Sequence, residues 1–441
     1  MMSNEKPAIL GGRPVRRTPF PDRRTMGKAE ADAALRVLES DCLSAFIGGS
    51  GEFFNGGPEV RAFEEAWAER DGFKHAISVN SWTSGLIVAC GAVGIEPGDE
   101  VIVPPYTMSA TATAPMFYGG IPVFADIDPE TFCLDPGSVA SCITPRTKAI
   151  IVVHLFGRCA AMAELTALAA KHGIKVIEDA AQSPGVYEGD HAVGAIGDVG
   201  GFSLNYHKHI HTGEGGMLVT NDDVIAEKCR LIRNHGENAH NEDSLGDTVN
   251  IIGGNYRLTE LQAAIGREQL KRLDEILDTR NELARHLADR LSNVAGITIE
   301  SMTSNREHAF YILPILYDKD LVGLPRDLFV KAVCAELPDS TDWEAIPLYE
   351  GYVTPLYLNK IFRDKCGLGR SGAPWSFQPG IDYDYNVGTC PVTEDIETNR
   401  MLLSPLVREP LSTGDIDDLA DAVMKVSDNA AQIKAELEIR N

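Results

Sequence analysis

Two residues of the chain have the types and surroundings that amine chemistry at a buried site requires. Asp179 ends the apolar run VIED and would lie at the carboxyl edge of a parallel sheet, where open α/β folds bind ligands. A carboxylate there can hold a protonated ring nitrogen, although such an Asp is more often a turn residue or a helix N-cap. Lys208, between a strand and a Gly-rich turn, is either a surface charge or an amine that forms a Schiff base with an aldehyde cofactor. Together, the two residues favour the cofactor interpretation.

Small residues that suit a phosphate group are expected near this pair. Ser203 shortly precedes Lys208, and a helix that begins near Ser81 has Thr83 and Ser84 in its first turn. Hydroxyl groups and the N–H groups of a helix N-terminus bind phosphate. A strand, a small-residue turn and a helix are a common sequence of elements, so this signal is weak alone, and TGEGG (212–216) suits a hairpin equally well.

Three histidines surround the lysine. His207, His209 and His211 alternate, and in a strand they would share one face, as metal ligands can. No cluster of Cys or carboxylate residues accompanies them in the sequence. We therefore expect no metal site, and expect His207 and His211 to flank a cofactor or substrate.

The elements that position these residues follow from the hydrophobic pattern. From about residue 72, short β-branched runs alternate with longer amphipathic ones, which predicts βαβ units and a parallel sheet. The runs AIIVV and KVIED are apolar enough to be central strands. Periodicity over 257–293 predicts long amphipathic helices that link two domains, and a last helix is expected after Ser412 or Thr413. The expected organisation is an N-terminal segment (1–25), a large domain (26–270), and a linker helix with a small C-terminal domain (271–441).

Composition excludes some partners. The formal charge of -24 disfavours nucleic acid. The nine scattered cysteines form no C-x-x-C pair, which indicates a reducing compartment. The first residues lack the apolar stretch of a signal peptide, and no run approaches the ~18 apolar residues that span a membrane. We therefore expect a cytoplasmic protein.

Several segments, in order, resemble the DegT/StrS family of sugar and cyclitol aminotransferases, which are fold-type I enzymes that depend on pyridoxal 5'-phosphate (PLP). The segments are FNGGPEVRAFEEAWAE, NSWTSGL, GDEVIVPPYT, PVFADIDPETFCLDP, VIEDAAQSPG, FSLNYHKHIHTGEGG, LIRNHG and NYRLTELQAAIGREQL. The resemblance implies an α/β fold, in which a large domain has a mostly parallel seven-stranded sheet flanked by helices. A smaller C-terminal α/β domain would follow.

The resemblance also implies a role for each matching residue. Lys208 would carry PLP as a Schiff base and serve as the general base, and Asp179 would pair with the pyridinium nitrogen. The further cofactor contacts that the family implies are Gln182 on the phenolic oxygen of the ring, Ser203 and the backbone of Thr83 and Ser84 on the phosphate, and Asn255 on the phosphate of the neighbouring subunit's cofactor. The active site would then be shared within a homodimer.

The chain departs from the family pattern at two positions. Trp82 stands where many relatives have Gly, and Met108 stands where they place an aromatic ring over the cofactor. The ring would be covered by Met108, through a thioether that tolerates aromatic contact, or by Tyr106 or Trp82.

The implied reaction moves an amino group from glutamate or glutamine to a keto-sugar, nucleotide-linked or free, or to a keto-cyclitol, by a ping-pong mechanism. The Pro- and aromatic-rich region that ends near residue 392 is expected to shape the choice of acceptor. Two alternatives stay open. One is a PLP-dependent sugar dehydratase on the same scaffold, which typically has His where Lys208 stands. The other is a non-catalytic regulatory homologue that kept the fold.

Overall fold

The chain folds into two compact units. The computed structural model describes residues 5–49, 51–236, 250–300, 306–340 and 343–438. The larger unit comprises residues 25–274 and 354–392, and the smaller unit comprises the chain before 25, residues 275–353 and the chain from 393 onward. The domain boundaries drawn from the sequence stay a prediction. The compact units differ from them in two main respects: the chain before residue 25 belongs to the smaller unit, and residues 354–392 belong to the larger unit.

A seven-stranded sheet forms the centre of the larger unit. The strands of this unit are, in chain order, β1 (His75–Val79), β2 (Glu100–Val103), β3 (Ile121–Phe124), β4 (Thr147–Val153), β5 (Lys175–Asp179), β6 (Tyr187–Glu188), β7 (His191–Ala192), β8 (Val199–Ser203) and β9 (Gly216–Thr220). The sheet has the order β1-β9-β8-β5-β4-β2-β3, and β6 and β7 form a separate ribbon. Within the sheet β9 is antiparallel to both of its neighbours, and the other pairings are parallel. The mostly parallel seven-stranded sheet is therefore confirmed.

The two most apolar runs lie side by side near the middle of this sheet, as predicted. They form β4, which is buried from Ala149 to Val153, and β5, which is buried from Val176 to Asp179. Strands covered on both faces by helices need continuous apolar runs rather than alternating ones. This position brings the carboxyl end of β5 to the centre of the sheet edge.

Helices flank the strands. In the described parts of the chain the α-helices are α1 (Lys28–Glu39), α2 (Pro58–Asp71), α3 (Trp82–Ala92), α4 (Ala110–Thr113), α5 (Pro136–Cys142), α6 (Met162–His172), α7 (Asp223–Arg233), α8 (Glu260–Leu270), α9 (Leu273–Leu291), α10 (Lys319–Val322), α11 (Arg326–Ala335), α12 (Lys360–Arg363), α13 (Pro391–Asp395), α14 (Thr413–Asp428) and α15 (Ala430–Glu438). Short 3₁₀ helices span Ala8–Leu10, Glu52–Asn55, Pro115–Tyr118, Leu155–Gly157, Trp343–Ala345, Leu356–Leu358 and Trp375–Phe377, and Ile396–Arg400 is a π-helix. Within these ranges no helix is both long enough and apolar enough to cross a membrane.

The smaller unit is built on an antiparallel sheet. Its strands are β10 (Ile297–Thr298), β11 (Leu313–Tyr317), β12 (Tyr349–Glu350) and β13 (Met401–Ser404), in the spatial order β10-β11-β13-β12. Apolar side chains of α9, α11 and α14, among them Leu287, Phe329 and Leu419, form the core of this unit. The predicted last helix begins with Ser412 as its N-cap, which accepts the N–H of Asp415, but it ends at Asp428, and α15 follows it.

The segment 354–392 has little periodicity and joins the larger unit through buried aromatic side chains and individual polar contacts. Tyr357, Phe362 and Tyr385 each pack edge-to-face against Phe124 of β3. The N–H of Leu356 donates to the carbonyl of Pro105 at 2.8 Å, and the hydroxyl of Tyr383 donates to Oε1 of Glu100 at 2.8 Å. Contacts of this kind leave no repeating pattern in a sequence, which is why the segment was not assigned to the large domain.

Glu260 joins the start of α8 to the start of α2. Its carboxylate oxygens accept the N–H groups of Gly57 at 2.9 Å and Glu59 at 2.8 Å, and its side chain is buried. Thr259 caps α8 itself by accepting the N–H of Gln262. The motif TELQ therefore begins one helix and satisfies the first N–H groups of another.

We expect Glu260→Ala to lower the free energy of unfolding by about 1–3 kcal/mol, because it leaves buried N–H groups at the start of α2 without an acceptor. Urea denaturation followed by circular dichroism measures this change. Glu268→Ala on the same helix is the matched control, because its carboxylate pairs at 2.7 Å with Lys271, which is exposed. Equal effects of the two substitutions would contradict the capping role.

Candidate active site

The carboxyl edge of the large sheet collects the polar residues that the sequence singled out. Asp179 is the last residue of β5 and Ser203 is the last residue of β8. These strands are parallel neighbours, with Asp179 opposite Gly201, so Ser203 lies two positions further along the adjacent strand. The first turn of α3, which follows β1, begins at Trp82.

The carboxylate of Asp179 is buried and held by three donors. Oδ1 accepts the indole N–H of Trp82 at 2.7 Å and the backbone N–H of Ala181 at 3.2 Å, and Oδ2 accepts the hydroxyl of Thr111 at 2.9 Å. A buried carboxylate requires such donors, because water no longer solvates its charge. The donors come from α3, from the turn after β5 and from α4.

The indole of Trp82 reaches Asp179 through a slot with glycine walls. A Cβ atom at Gly85 would lie 2.5 Å from the indole carbon Cε3, and one at Gly201 would lie 2.5 Å from Cζ3. Gly216, at the start of β9, approaches the backbone of the same turn so closely that its Cβ would lie 2.8 Å from the nitrogen of Trp82. A side chain at these positions would displace the indole or the turn.

Lys208 lies in the turn between the antiparallel strands β8 and β9, as predicted. Its backbone N–H donates to the carbonyl of Asn205 at 2.9 Å. Burial lowers the pKa of Lys208 to about 8, while the negative charge of Asp179 raises it in part. The amine is therefore close enough to Asp179 to respond to its charge. Near physiological pH it is still mostly protonated, but its neutral fraction is far larger than that of an ordinary lysine.

The residues predicted to bind phosphate lie at two places, the start of α3 and the end of β8. Ser81 is the N-cap of α3 and accepts the N–H of Ser84 at 3.1 Å, and the hydroxyls of the two serines are 2.9 Å apart. Thr83, in the same turn, is exposed. The hydroxyl of Ser203 accepts the N–H of Asn205 at 3.3 Å. The helix N-terminus and the two hydroxyls have the donor chemistry that a phosphate requires.

Gln182 is buried in the turn that follows β5. Its Oε1 accepts the backbone N–H of Phe156 at 2.7 Å. Since the oxygen is committed to this acceptor role, the amide group presents its nitrogen as the donor end. That orientation suits a contact to an oxygen atom.

The remaining candidates differ in exposure. Tyr106 is fully buried and packs edge-to-face with Phe156, whereas Met108 is 65% exposed. Asn255 is exposed, and its carbonyl accepts the side-chain N–H of Asn80 at 3.2 Å. The backbone N–H of Asn80 in turn donates to Tyr256, so this segment lies beside the end of β1.

The histidines around Lys208 do not lie on one face of a strand. Residues 206–210 form turns and bends, with His209 buried and His207 partly buried. His211 lies beside Thr25, with 2.5 Å between Nε2 and the hydroxyl oxygen. In the described ranges no group of three or more His, Cys, Asp or Glu residues has the geometry to hold a metal ion.

Three residues of this region were missed by sequence reasoning. Thr111, which holds Asp179, lies in the short helix α4 and stands in an ATAT run with no distinguishing feature. Glu178 and His154 form a buried pair, with 3.0 Å between Nε2 and Oε2, while Nδ1 of His154 accepts the N–H of Ala160. An acidic residue inside an apolar strand was the available signal for Glu178.

Comparison with known proteins agrees with this geometry. Residues 44–370 match the DegT/DnrJ/EryC1/StrS aminotransferase family. The chain belongs to this family. It is 40% identical over 352 residues to GDP-perosamine synthase of Caulobacter vibrioides, covering 78% of this chain and 90% of that protein. It is 32% identical over 447 residues to L-glutamine:2-deoxy-scyllo-inosose aminotransferase of Streptoalloteichus tenebrarius, covering 97% of this chain and 99% of that protein.

The fold of this aminotransferase is shared with solved structures of the family. The crystal structure of DesI in the presence of its TDP-sugar product superposes with a TM-score of 0.79 at 27% identity, and covers 98% of both chains. The family resemblance, the class of enzyme and the fold-type I architecture predicted from the sequence are therefore confirmed.

We expect Lys208 of the cofactor-free aminotransferase to react with acetic anhydride with a half-maximal rate near pH 8, because its pKa is about 8. Competitive labelling followed by mass spectrometry of the Lys208 peptide measures this midpoint. Asp179→Asn should move the midpoint lower, because the charge that raises the pKa of Lys208 is removed. Asp223→Asn, which removes an exposed carboxylate paired with Lys74, should leave it unchanged. A midpoint near the ordinary lysine value of 10.5 would contradict the burial effect.

Proposed function

We propose that this aminotransferase binds PLP through Lys208 and transfers an amino group from glutamine or glutamate to a keto-sugar or keto-cyclitol. The observation that carries the proposal is the buried amine of Lys208 beside the buried carboxylate of Asp179, at the carboxyl edge of the sheet. A lysine whose pKa is lowered toward neutral pH is the nucleophile that an aldehyde cofactor requires. Bound PLP supplies an electron sink at the amino carbon.

The residues present fit the polar groups of PLP. The first turn of α3 and the hydroxyl of Ser203 offer donors for the phosphate, with Thr83 and Ser84 contributing their backbone. The amide nitrogen of Gln182 suits the phenolic oxygen, because its Oε1 is committed to Phe156. Asp179 suits the protonated ring nitrogen.

Met108 and Tyr106 are the candidates for covering the face of the PLP ring. The indole of Trp82 is enclosed between Gly85 and Gly201 and is directed at Asp179, so we assign it no covering role. Met108 is exposed, and its thioether can contact an aromatic face once one is present.

Proton transfer in the reaction is assigned to Lys208. With the amino donor bound in its place, Nζ of Lys208 would serve as the general base that takes the proton from the α-carbon of the donor and delivers it to carbon C4' of the cofactor. The negative charge of Asp179 favours the charged form of the ring nitrogen that it faces. Lys208 also separates this function from sugar dehydration, for which a His at this position is expected.

The substrate class rests on the relatives. Two of them, which match over most of this chain, are named as a GDP-perosamine synthase and as an L-glutamine:2-deoxy-scyllo-inosose aminotransferase. We therefore propose a keto-sugar or keto-cyclitol as the acceptor, and L-glutamine as the first donor to test. The segment 354–392 stays our candidate for the part that selects the acceptor.

We further propose that the enzyme is a homodimer in which Asn255 reaches the phosphate of the partner's cofactor. Leu35 and Leu38 on one face of α1, together with Leu43 and Ile47, are half-exposed apolar side chains. Backbone groups of this segment adjoin the strip that contains Asn255, because Leu43 accepts the N–H of Glu260. A second copy of the chain that covers these side chains would also meet Asn255.

A cytoplasmic location completes the proposal. All nine cysteines lie within the described ranges and are thiols rather than disulfides. Reduced thiols persist in the cytosol, where disulfides are rare.

The proposed function predicts a visible absorption band with PLP that L-glutamine abolishes and that the correct keto-sugar or keto-cyclitol restores. Borohydride reduction of the PLP form should place the label on Lys208, and Lys208→Ala should show neither the label nor the cycle. The substrate is identified by mixing the pyridoxamine form of the enzyme with each of a panel of keto-sugars and keto-cyclitols and recording which one restores the band. Loss of a sugar hydroxyl without amine transfer would indicate a dehydratase, and retention of the band in Lys208→Ala would overturn the attachment site.

The shared site predicts complementation between two inactive subunits. In a heterodimer of Lys208→Ala and Asn255→Ala chains, one site contains both substitutions and the other contains neither. We expect about half of the wild-type activity in this heterodimer at limiting PLP, purified through two different tags, and little in either homodimer. Activity no higher than that of the Asn255→Ala homodimer would show that Asn255 does not act across subunits.

A further inference from the structure

We infer that Trp82 is a positioning residue for the cofactor ring, because its indole N–H holds the carboxylate of Asp179 so that Oδ2 is presented to the ring nitrogen. The inference rests on the proposed role of Asp179 toward PLP. Position 82 is one at which this chain departs from the family pattern, since many relatives have Gly there.

The first argument is the distribution of donors over the two oxygens. Oδ1 receives two N–H groups, from Trp82 and Ala181, whereas Oδ2 receives one O–H group, from Thr111. Each carboxylate oxygen has two lone-pair directions. Oδ1 is therefore saturated, and Oδ2 keeps one direction for a further donor, which is the protonated ring nitrogen in the proposed complex.

The second argument is that the indole is fixed. Gly85 lies one turn after Trp82 in α3, and Gly201 faces the indole from β8. A Cβ atom at either position would overlap the indole ring. Trp82 is also buried. A donor enclosed in this way is pre-organised, so the carboxylate plane does not have to rotate when the cofactor binds.

The third argument is the chemistry of the donor. An indole N–H can donate but cannot accept a hydrogen bond or take up a proton. It therefore stabilises the negative charge of Asp179 without competing for the proton that belongs to the ring nitrogen. Thr111 can rotate its hydroxyl away, whereas Trp82 has no alternative orientation within the slot.

The test compares two cofactors that differ in one atom. PLP and 1-deazapyridoxal 5'-phosphate, in which carbon replaces the ring nitrogen, are titrated spectroscopically into the cofactor-free full-length protein and its variants. We expect Trp82→Phe to weaken PLP binding about tenfold, the size expected for one lost hydrogen bond to a charged group, and to leave binding of the deaza analogue nearly unchanged.

Trp375→Phe is the matched control. Trp375 is a second buried tryptophan of the larger unit, and its indole N–H donates to the hydroxyl of Tyr385 at 2.8 Å. The substitution removes a buried indole hydrogen bond to a neutral hydroxyl, which does not involve Asp179. We expect it to change the binding of neither cofactor.

Gly85→Ala provides a second variant in case Trp82→Phe does not fold. The added Cβ would lie 2.5 Å from Cε3 of the indole and displace its N–H from Asp179, so the same selective loss of PLP binding is expected. In a Trp82→Phe background the phenyl ring lacks this part of the indole, and Gly85→Ala should add little further loss.

The outcomes separate this inference from the proposed function. Equal weakening of both cofactors by Trp82→Phe and Gly85→Ala would overturn the inference and leave Trp82 with a packing role. If Asp179→Asn also fails to distinguish PLP from the deaza analogue, the proposed pairing of Asp179 with the ring nitrogen is wrong. If borohydride places no label on Lys208 of the wild-type enzyme, the proposed attachment fails first.

Discussion

A negative charge removed from water is the constraint around which the edge of the large sheet is organised. Asp179 ends a buried central strand, and its carboxylate is stable there only because α3, α4 and the turn after β5 each direct a donor to it. These hydrogen bonds tie the starts of two helices to one strand end. The same turn of α3 is also the proposed phosphate site. In the proposed complex, one helix start would therefore bind the phosphate and position the carboxylate that pairs with the ring nitrogen.

The sequence predicted the frame of this site well. Apolar runs of strand length identified β4 and β5 as central strands, and from this the position of Asp179 at the sheet edge followed. The position of Lys208 between a strand and a Gly-rich turn followed from the glycines after it. These features depend on local patterns, which a single sequence displays.

The contacts that complete the site depend on long-range packing, which no local pattern displays. Trp82 and Asp179 are 97 residues apart in the chain, and Thr111 and Asp179 are 68 residues apart. From the sequence, Trp82 was one candidate for covering the ring, but only the fold shows the glycines that enclose it. The segment 354–392 joins the larger unit for a similar reason, because its long-range contacts, such as the packing of Phe362 on Phe124 and the hydrogen bond of Tyr383 to Glu100, follow no periodic pattern.

Some of the motifs that identify the family hold the scaffold rather than the ligand. Glu64 of the FNGGPEVRAFEEAWAE segment and Arg233 of LIRNHG form a buried ion pair at 2.6 Å, and Glu64 also accepts the N–H of Ser78. Asn234 donates to the carbonyls of Ile47 and Phe54. The loss of either partner from such a buried ion pair is strongly destabilising, because the other charge is left buried and unpaired. The residue types at positions 64 and 233 therefore depend on each other.

The glycine-walled slot makes the residue types at positions 82, 85 and 201 depend on one another. A tryptophan at position 82 is compatible with this backbone only where residues 85 and 201 carry no side chain, and those glycines would leave an empty space if position 82 were small. No single replacement among the three is neutral. The two glycines differ in what requires them. A Cβ at Gly201 would also lie 2.1 Å from the carbonyl oxygen of Met217, so this position needs glycine whatever stands at position 82, whereas the closest contact at Gly85 is the indole itself.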